Sequence, residues 1–219
     1  AKKITEETGG GILVITEGVF GMSGDLGDLK KIADLKEKFS FRFFVDDAHG
    51  FGIMGKTGAG TGEHLDVQSQ IDLYFSTFAK SMASIGAFVS GKEQVIEFLR
   101  YNTRSQIFAK SMPMPFVIGN RKRLQLIRAN PQYKDKLWDI ALRLQTGLIK
   151  KGFKIGNTQS PVTPVFLNGT VDEATKLTID LRENFKVFAS IVVYPVVPKD
   201  IILLRLMPTS VHTNEDVDK

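Results

Sequence analysis

FFVDDAH (residues 43–49) and STFAKS (residues 76–81) decide how this 219-residue chain is read. Each lies where an apolar or aromatic run gives way to polar residues. Buried strands of an α/β sheet have this pattern, and ligands sit just beyond the carboxyl ends of such strands. The first run delivers Asp46 and His49 to that edge, and the second delivers Lys80. An acid, an imidazole and a lysine suit a cofactor that forms an imine with an amine and needs its ring nitrogen kept protonated. Pyridoxal phosphate is such a cofactor, with a lysine as its imine partner and an aspartate at the pyridine nitrogen.

A competing signal lies between the two runs. GFGIMGKT (residues 50–57) fits the P-loop pattern GxxxxGK[ST], and its first six residues fit GxGxxG. Both patterns follow a strand, as this segment does. A phosphate-binding loop must also open a helix, whose N-terminal amides and dipole take the anion. Here GAGTGEH follows, with Gly58, Gly60 and Gly62 close together, a poor start for a helix. The dinucleotide motif further wants an acidic residue about 20 positions on, at the end of the next strand. Asp72 stands near that distance but precedes its apolar run. Nucleotide binding through the segment from Gly50 to Thr57 is therefore an alternative reading, and a glycine-rich loop without a ligand is a third.

Composition narrows the classes. With 42% apolar and 24% charged residues, the chain is ordinary for a soluble globular protein and long enough for a substantial core. A net charge of +5, scattered among acids, gives no argument for nucleic acid. It suits an anionic ligand such as a phosphate or a coenzyme A ester equally well. The absence of cysteine excludes disulfides, thiolate metal sites and cysteine catalysis, and fits a reducing cytoplasm. No metal site is expected. The longest apolar stretch, residues 187–197, is short for a membrane span and contains Pro195. AKKITEETGG at the start reads as a helix tail with its glycine stop, not as a leader. NEDVDK at the end holds a cap candidate and first-turn acids with nothing after them. The expectation is a piece of a larger protein.

Along the chain, strands and helices alternate. Residues 12–19, 41–46, 71–78 and 87–90 read as strands. Residues 28–39, with Leu29, Ile32, Leu35 and Phe39 at helical spacing, and residues 92–101 read as helices. This order implies βαβ units and a largely parallel sheet. Beyond Pro113 and Pro115 the character changes. Helical patterns over 119–129 and 133–151 precede β-rich runs at 162–167, 187–197 and 201–207, with a helix at 172–184 between the first two. The expected organisation is α/β: residues 1–113 as the later part of a large domain with a mostly parallel sheet, and residues 114–219 as a small α+β domain.

At this point the residues resemble a known family. VDDAHGFGIMGKTGAG is similar to the V-D-E-A-H-x-x-G-x-x-G-x-x-G-x-G stretch of the α-oxoamine synthases, pyridoxal-phosphate enzymes of fold type I. TFAKSMASIGAFVSG resembles their lysine motif, LLRLMPTSVHT their C-terminal arginine segment, and EGVFGMSGD the stretch preceding them. The resemblance covers essentially the whole chain, but only the later part of a family member. It implies a large domain like that of aspartate aminotransferase. It further implies Lys80 as the imine-forming lysine, Asp46 as partner of the pyridine nitrogen and His49 as partner of the cofactor's phenolic oxygen. Thr77 would bind the phosphate and Arg205 the substrate carboxylate, to which its planar fork is matched.

Three positions depart from the family pattern. Ala79 stands where a serine is usual, Ala109 where a hydroxyl residue reaches the partner subunit's phosphate, and Gly21 where the family has serine. Ser111 or Ser81 is then a candidate to replace lost phosphate contacts. The implied activity is condensation of an amino acid with an acyl-CoA to a 3-oxoamine. RSQIFAKSMPMP and VVYPVVPKDIILLRLMPTSVHT look closest to bacterial serine palmitoyltransferases, and YPVVPK also resembles 2-amino-3-ketobutyrate CoA ligases. A homodimer is implied, with peripheral membrane contact a further expectation for a lipid substrate. His64 reads as a loop residue and His212 as a turn residue.

Overall fold

Alternation along three short strands builds the first sheet. The computed structural model describes residues 1–219. By its internal contacts the chain divides into two units, Ala1–Val19 with Gly27–Pro131, and Phe20–Leu26 with Gln132–Lys219. In the first unit, β1 (Leu13–Glu17), β2 (Arg42–Asp46) and β3 (Leu73–Thr77) run parallel, and β4 (Ala87–Gly91) pairs antiparallel with β3. The mostly parallel α/β sheet expected from the sequence is present.

Successive side chains of a strand point to opposite faces. Phe43 and Val45 turn to one face and pack with Leu29 and Ala33 of α2 (Leu29–Asp34) and with Val67, all nearly inaccessible to solvent. Phe44 and Asp46 turn to the other face, where Phe44 stacks on Phe75 with ring centroids 6.2 Å apart. That second face is the more open one: Ile15, in register with Phe44, is 63% exposed. A short helix, α1 (Lys2–Thr8), precedes β1 and ends at Gly9 in the left-handed conformation, as the glycine stop predicted. The helical spacing at 28–39 gives α2 and then a 3-10 turn, Leu35–Glu37.

Helices α4 (Glu93–Asn102), α5 (Arg104–Ile107) and α6 (Met114–Ala129) follow β4. Helix α6 starts five residues before the basic pattern suggested, because Pro115 sits in its first turn, where a missing N–H costs nothing. Its contacts group it with the first unit, whereas the prolines before it had been read as a border.

In the second unit, β5 (Thr163–Leu167), β7 (Ile202–Leu206) and β6 (Ser190–Val192) form an antiparallel sheet in that order. Ile155, Val165 and Leu204 centre its core. They are packed by Leu148 of α7 (Gln132–Lys150) and Leu181 of α8 (Val171–Glu183). Only residues 190–192 of the apolar run at 187–197 form strand, because the chain turns at the prolines beyond. The segment Phe20–Leu26 belongs here, fastened at the Gly24 carbonyl, which accepts from Gln159 N at 3.0 Å, Ser160 Oγ at 2.8 Å and Thr158 Oγ1 at 3.3 Å. The acids read at the C-terminus open a helix, α9 (Asn214–Asp218), capped reciprocally by Thr213 and Asp216.

The register of β2 on β3 carries an electrostatic lock. Asp72 accepts from the Phe43 amide at 2.7 Å and from Lys36 Nζ at 2.5 Å, with Arg42 Nη1 at 3.4 Å. Burial raises the Asp72 pKa, but these donors outweigh it and hold the carboxyl below its ordinary value. A depressed folded-state pKa gives stability that is fully present above the unfolded value, ~3.9, and lost as pH falls through the folded one. Asp72→Asn is therefore expected to cost ~1–2 kcal/mol at neutral pH and to flatten the loss of stability below about pH 4. Denaturant unfolding at pH 7 and pH 3 checks both.

Candidate functional site

Asp46 is the last residue of β2 and lies on the more open face of the sheet, at its carboxyl edge. It is in register with Phe75, so Thr77, two residues further along β3, shares that face. One Asp46 oxygen accepts from the Ala48 amide at 3.0 Å, which orients the carboxylate. A carboxylate has further lone pairs for an incoming N–H. The chain then makes a single helical turn, with Gly50 N and Phe51 N donating to the Asp47 carbonyl at 3.0 and 2.9 Å. His49, half-buried, sits within that turn.

Thr77 ends β3, and its hydroxyl donates to the Gly86 carbonyl at 2.9 Å while accepting from Ala79 N at 3.1 Å. Lys80 follows on a turn, exposed, with Ala83 N donating back to its carbonyl at 2.9 Å. The loop returns to the sheet through Ser84 N to the Phe78 carbonyl and Phe78 N to the Gly86 carbonyl, each 2.8 Å. Thr77 thus closes the loop that carries Lys80, and its single proton is engaged within the chain. Ser111 lies exposed in the extended link between α5 and α6. Asn120 on α6 is buried and donates to the Ile85 carbonyl at 3.3 Å. Two buried oxygens here, Ser84 Oγ and Asn120 Oδ1, have no protein partner.

The structure corrects the nucleotide reading of residues 50–57. The first helix after this segment is the four-residue α3 (Thr61–His64), so no long helix opens at Thr57. More decisively, the loop's amides already hold anions, and these are its own side chains. Glu63 accepts from Thr57 N and Ala59 N at 3.1 Å and from Thr57 Oγ1 at 2.9 Å. Asp47 accepts from Thr61 N at 2.7 Å. A Cβ on Gly55 would collide with the Glu63 carboxylate, and Gly55 also has φ +80°. The glycines serve a loop folded round internal carboxylates, which gives the same sequence pattern as one folded round a phosphate.

Sequence reasoning passed over Asp47. It is wholly buried, accepting from Thr61 Oγ1 at 2.6 Å and Tyr74 Oη at 2.9 Å besides Thr61 N. Burial pushes its pKa up, partly offset by these donors, and burial beside Asp47 pushes the Tyr74 phenol far up, so that phenol stays a donor. The strand period was the available signal: in FFVDD the second acid must face the core side.

Arg205 belongs to the second unit and is described there alone. It sits in β7, in register with Pro164 of β5 and Ser190 of β6. Its Nη1 lies 3.2 Å from Met22 Sδ, and its Nε is buried without a partner. A buried guanidinium N–H without an acceptor fits an anionic ligand group. His212 accepts from Thr209 N through Nδ1 at 3.0 Å, which makes it the turn residue expected, and His64 closes α3.

The family model for aminotransferase class I and II matches residues 1–219. A cysteate-C-fatty acyltransferase of Capnocytophaga ochracea is 58% identical over 219 residues, which is 100% of this chain and 52% of that protein. A serine palmitoyltransferase of Sphingobacterium spiritivorum is 34% identical over 207 residues, covering 94% of this chain and 51% of the relative. Among solved structures, a Sphingomonas wittichii serine palmitoyltransferase matches with a TM-score of 0.89 at 30% identity, over 95% of this chain and 52% of that one. A serine palmitoyltransferase solved with pyridoxal phosphate gives 0.89 at 28% identity, over 94% and 52%. The chain spans about half the length of the curated relatives it matches.

Most amides of residues 50–57 are engaged within the chain, which leaves little to offer a triphosphate. Isothermal titration with magnesium-ATP and magnesium-GTP is expected to show no binding, unchanged in Lys56→Ala. Nucleotide binding that is lost in that variant would restore the P-loop reading.

Proposed function

The chain belongs to the aminotransferase class I and II family, among its α-oxoamine synthases, and from that premise we propose that its full-length parent is a pyridoxal-phosphate-dependent C-acyltransferase. It joins the α-carbon of an amino acid to the acyl group of a coenzyme A thioester. The observation that carries this reading is the carboxyl edge of the sheet: Asp46 and Thr77 on one face of neighbouring parallel strands, with Lys80 on the turn just beyond.

The donor set fits the cofactor. An oriented carboxylate with spare lone pairs, an imidazole one turn away and a lysine on the next loop meet the three demands of its ring nitrogen, phenolic oxygen and aldehyde. When bound, the cofactor supplies an electron-withdrawing ring that stabilises negative charge at the substrate's α-carbon. Asp46 keeps a proton on the ring nitrogen, and His49 donates to the phenolic oxygen. Lys80, with its amine free, would be the base that removes the α-proton of the substrate. Thr77 reaches the phosphate by exchanging its bond to Gly86, with Ser111 as a further hydroxyl donor. Arg205 recognises the amino acid carboxylate through its fork, including the Nε–H that lacks a partner.

For the substrates, we read cysteate with a long-chain acyl-CoA as the pair, supported by 58% identity over all 219 residues to a cysteate-C-fatty acyltransferase. The second reading, L-serine with palmitoyl-CoA, is supported by the likeness to serine palmitoyltransferases in sequence and structure. Glycine with acetyl-CoA, the 2-amino-3-ketobutyrate CoA ligase pair, is the remaining arm of the test. A cytoplasmic homodimer that meets a membrane surface to collect its acyl donor belongs to the same proposal. No helix of the chain is long and apolar enough to cross a membrane.

Borohydride reduction of the parent with pyridoxal phosphate, followed by peptide mass spectrometry, is expected to label Lys80. Lys80→Ala should lose the label and at least ~100-fold in turnover, the scale of a lost proton-transfer group. Release of coenzyme A should be fastest with cysteate and palmitoyl-CoA. Faster turnover of serine would select the second reading, and label scattered over surface lysines would overturn the enzyme class.

A further inference from the structure

Asp46 and Asp47 are adjacent in sequence and opposite in orientation. Asp46 faces the open side of the sheet, and Asp47 is sealed on the other side, so Asp47 cannot touch a ligand held by Asp46. Its main chain nevertheless joins every part that places Asp46 and His49. Asp47 N donates to the Phe75 carbonyl of β3 at 2.9 Å, and its own carbonyl closes the turn containing His49. Its carboxylate ties that turn to the far end of the glycine loop through Thr61 N and Oγ1, and to β3 through Tyr74 Oη. Gly18, whose amide donates to the Asp46 carbonyl at 2.8 Å, packs against the same carboxylate, as do Gly50 and Gly60. A Cβ at any of these three glycines would collide with it.

We propose that Asp47 is a positioning residue for the cofactor: its buried carboxylate fixes the direction in which Asp46 and His49 are presented at the sheet edge. This rests on the cofactor reading above. Glu63 provides the internal control, since it ties the middle of the same loop, through Thr57 and Ala59, without touching the Asp46–His49 turn.

The experiment uses the full-length parent, with wild type, Asp47→Ala, Asp47→Asn, Thr61→Ala and Glu63→Ala compared. Two quantities are read: the Kd for pyridoxal phosphate by absorbance titration, and the circular dichroism that the protein induces in the bound cofactor's visible band, which reports orientation. Asp47→Ala is expected to raise the Kd about 10-fold or more and to lose most of the induced signal, since it leaves the Thr61 amide and hydroxyl without their acceptor and Tyr74 with the Ala59 carbonyl alone. Asp47→Asn, nearly the same shape, should rescue both to within about threefold. Thr61→Ala should fall between them, and it keeps the test decisive if Asp47→Ala does not fold. Glu63→Ala should lower the melting temperature with Kd and induced signal within about twofold of wild type.

The inference is overturned if Asp47→Ala, or Thr61→Ala in its place, binds the cofactor with wild-type Kd and induced signal. It is also overturned if Glu63→Ala loses both in the same proportion. Should the wild-type parent itself fail to bind, the cofactor reading falls and this inference falls with it. Loss confined to the Asp47 series upholds both.

Discussion

Burying a carboxylate beside the end of a central strand is costly, and the fold of the first unit is arranged around meeting that cost with hydrogen bonds. Asp47 has no access to solvent, and its donors arrive from two separate parts of the chain: two from Thr61 at the end of the glycine loop, one from Tyr74 on the neighbouring strand. Satisfying them requires β2, β3 and the intervening loop to be in place together. The three glycines that crowd the carboxylate are the other half of the same constraint, because only residues without a side chain can approach so closely. Asp46 inherits its position from this arrangement, one residue earlier and on the opposite face.

The second unit solves a different problem with similar means. Its sheet is antiparallel, and the strand that carries Arg205 lies in the middle of it, flanked by β5 and β6. A guanidinium held in such a strand among leucines must find acceptors, yet its Nε has none within the protein. Such an arrangement leaves a buried N–H able to take an anionic oxygen. The excursion of residues 20–26 into this unit, fastened at the Gly24 carbonyl, brings Met22 against the guanidinium.

Much of this could be read from the sequence because its signals are local. The 2-residue period in FFVDD and the 3.6-residue period after Asp28 are properties of short stretches, and both elements appear within one or two residues of their expected ends, apart from a last 3-10 turn. The left-handed Gly9 was legible for the same reason, whereas the cap read within NEDVDK falls one residue earlier, at Thr213. The run at 187–197 misled because its apolar residues satisfy a strand pattern while its prolines end the pairing after three residues. Helix α6 starts before the pattern at 119–129 because the first turn of a helix tolerates proline.

By itself the sequence determined the order of strands and helices, the two unlike halves, and the delivery of Asp46, His49 and Lys80 to strand ends, since each follows from composition and period along the chain. It could not determine what the glycine-rich segment binds. GFGIMGKT serves a phosphate or an internal carboxylate equally well, and only the tertiary structure decided for Glu63 and Asp47 by bringing their oxygens to the loop's amides. Nor could it distinguish the two aspartates of DDAH by more than a parity rule. One faces the more open side of the sheet and the other is sealed in the core, because three-dimensional packing gives Asp47 its partners and leaves Asp46 acceptor capacity to offer.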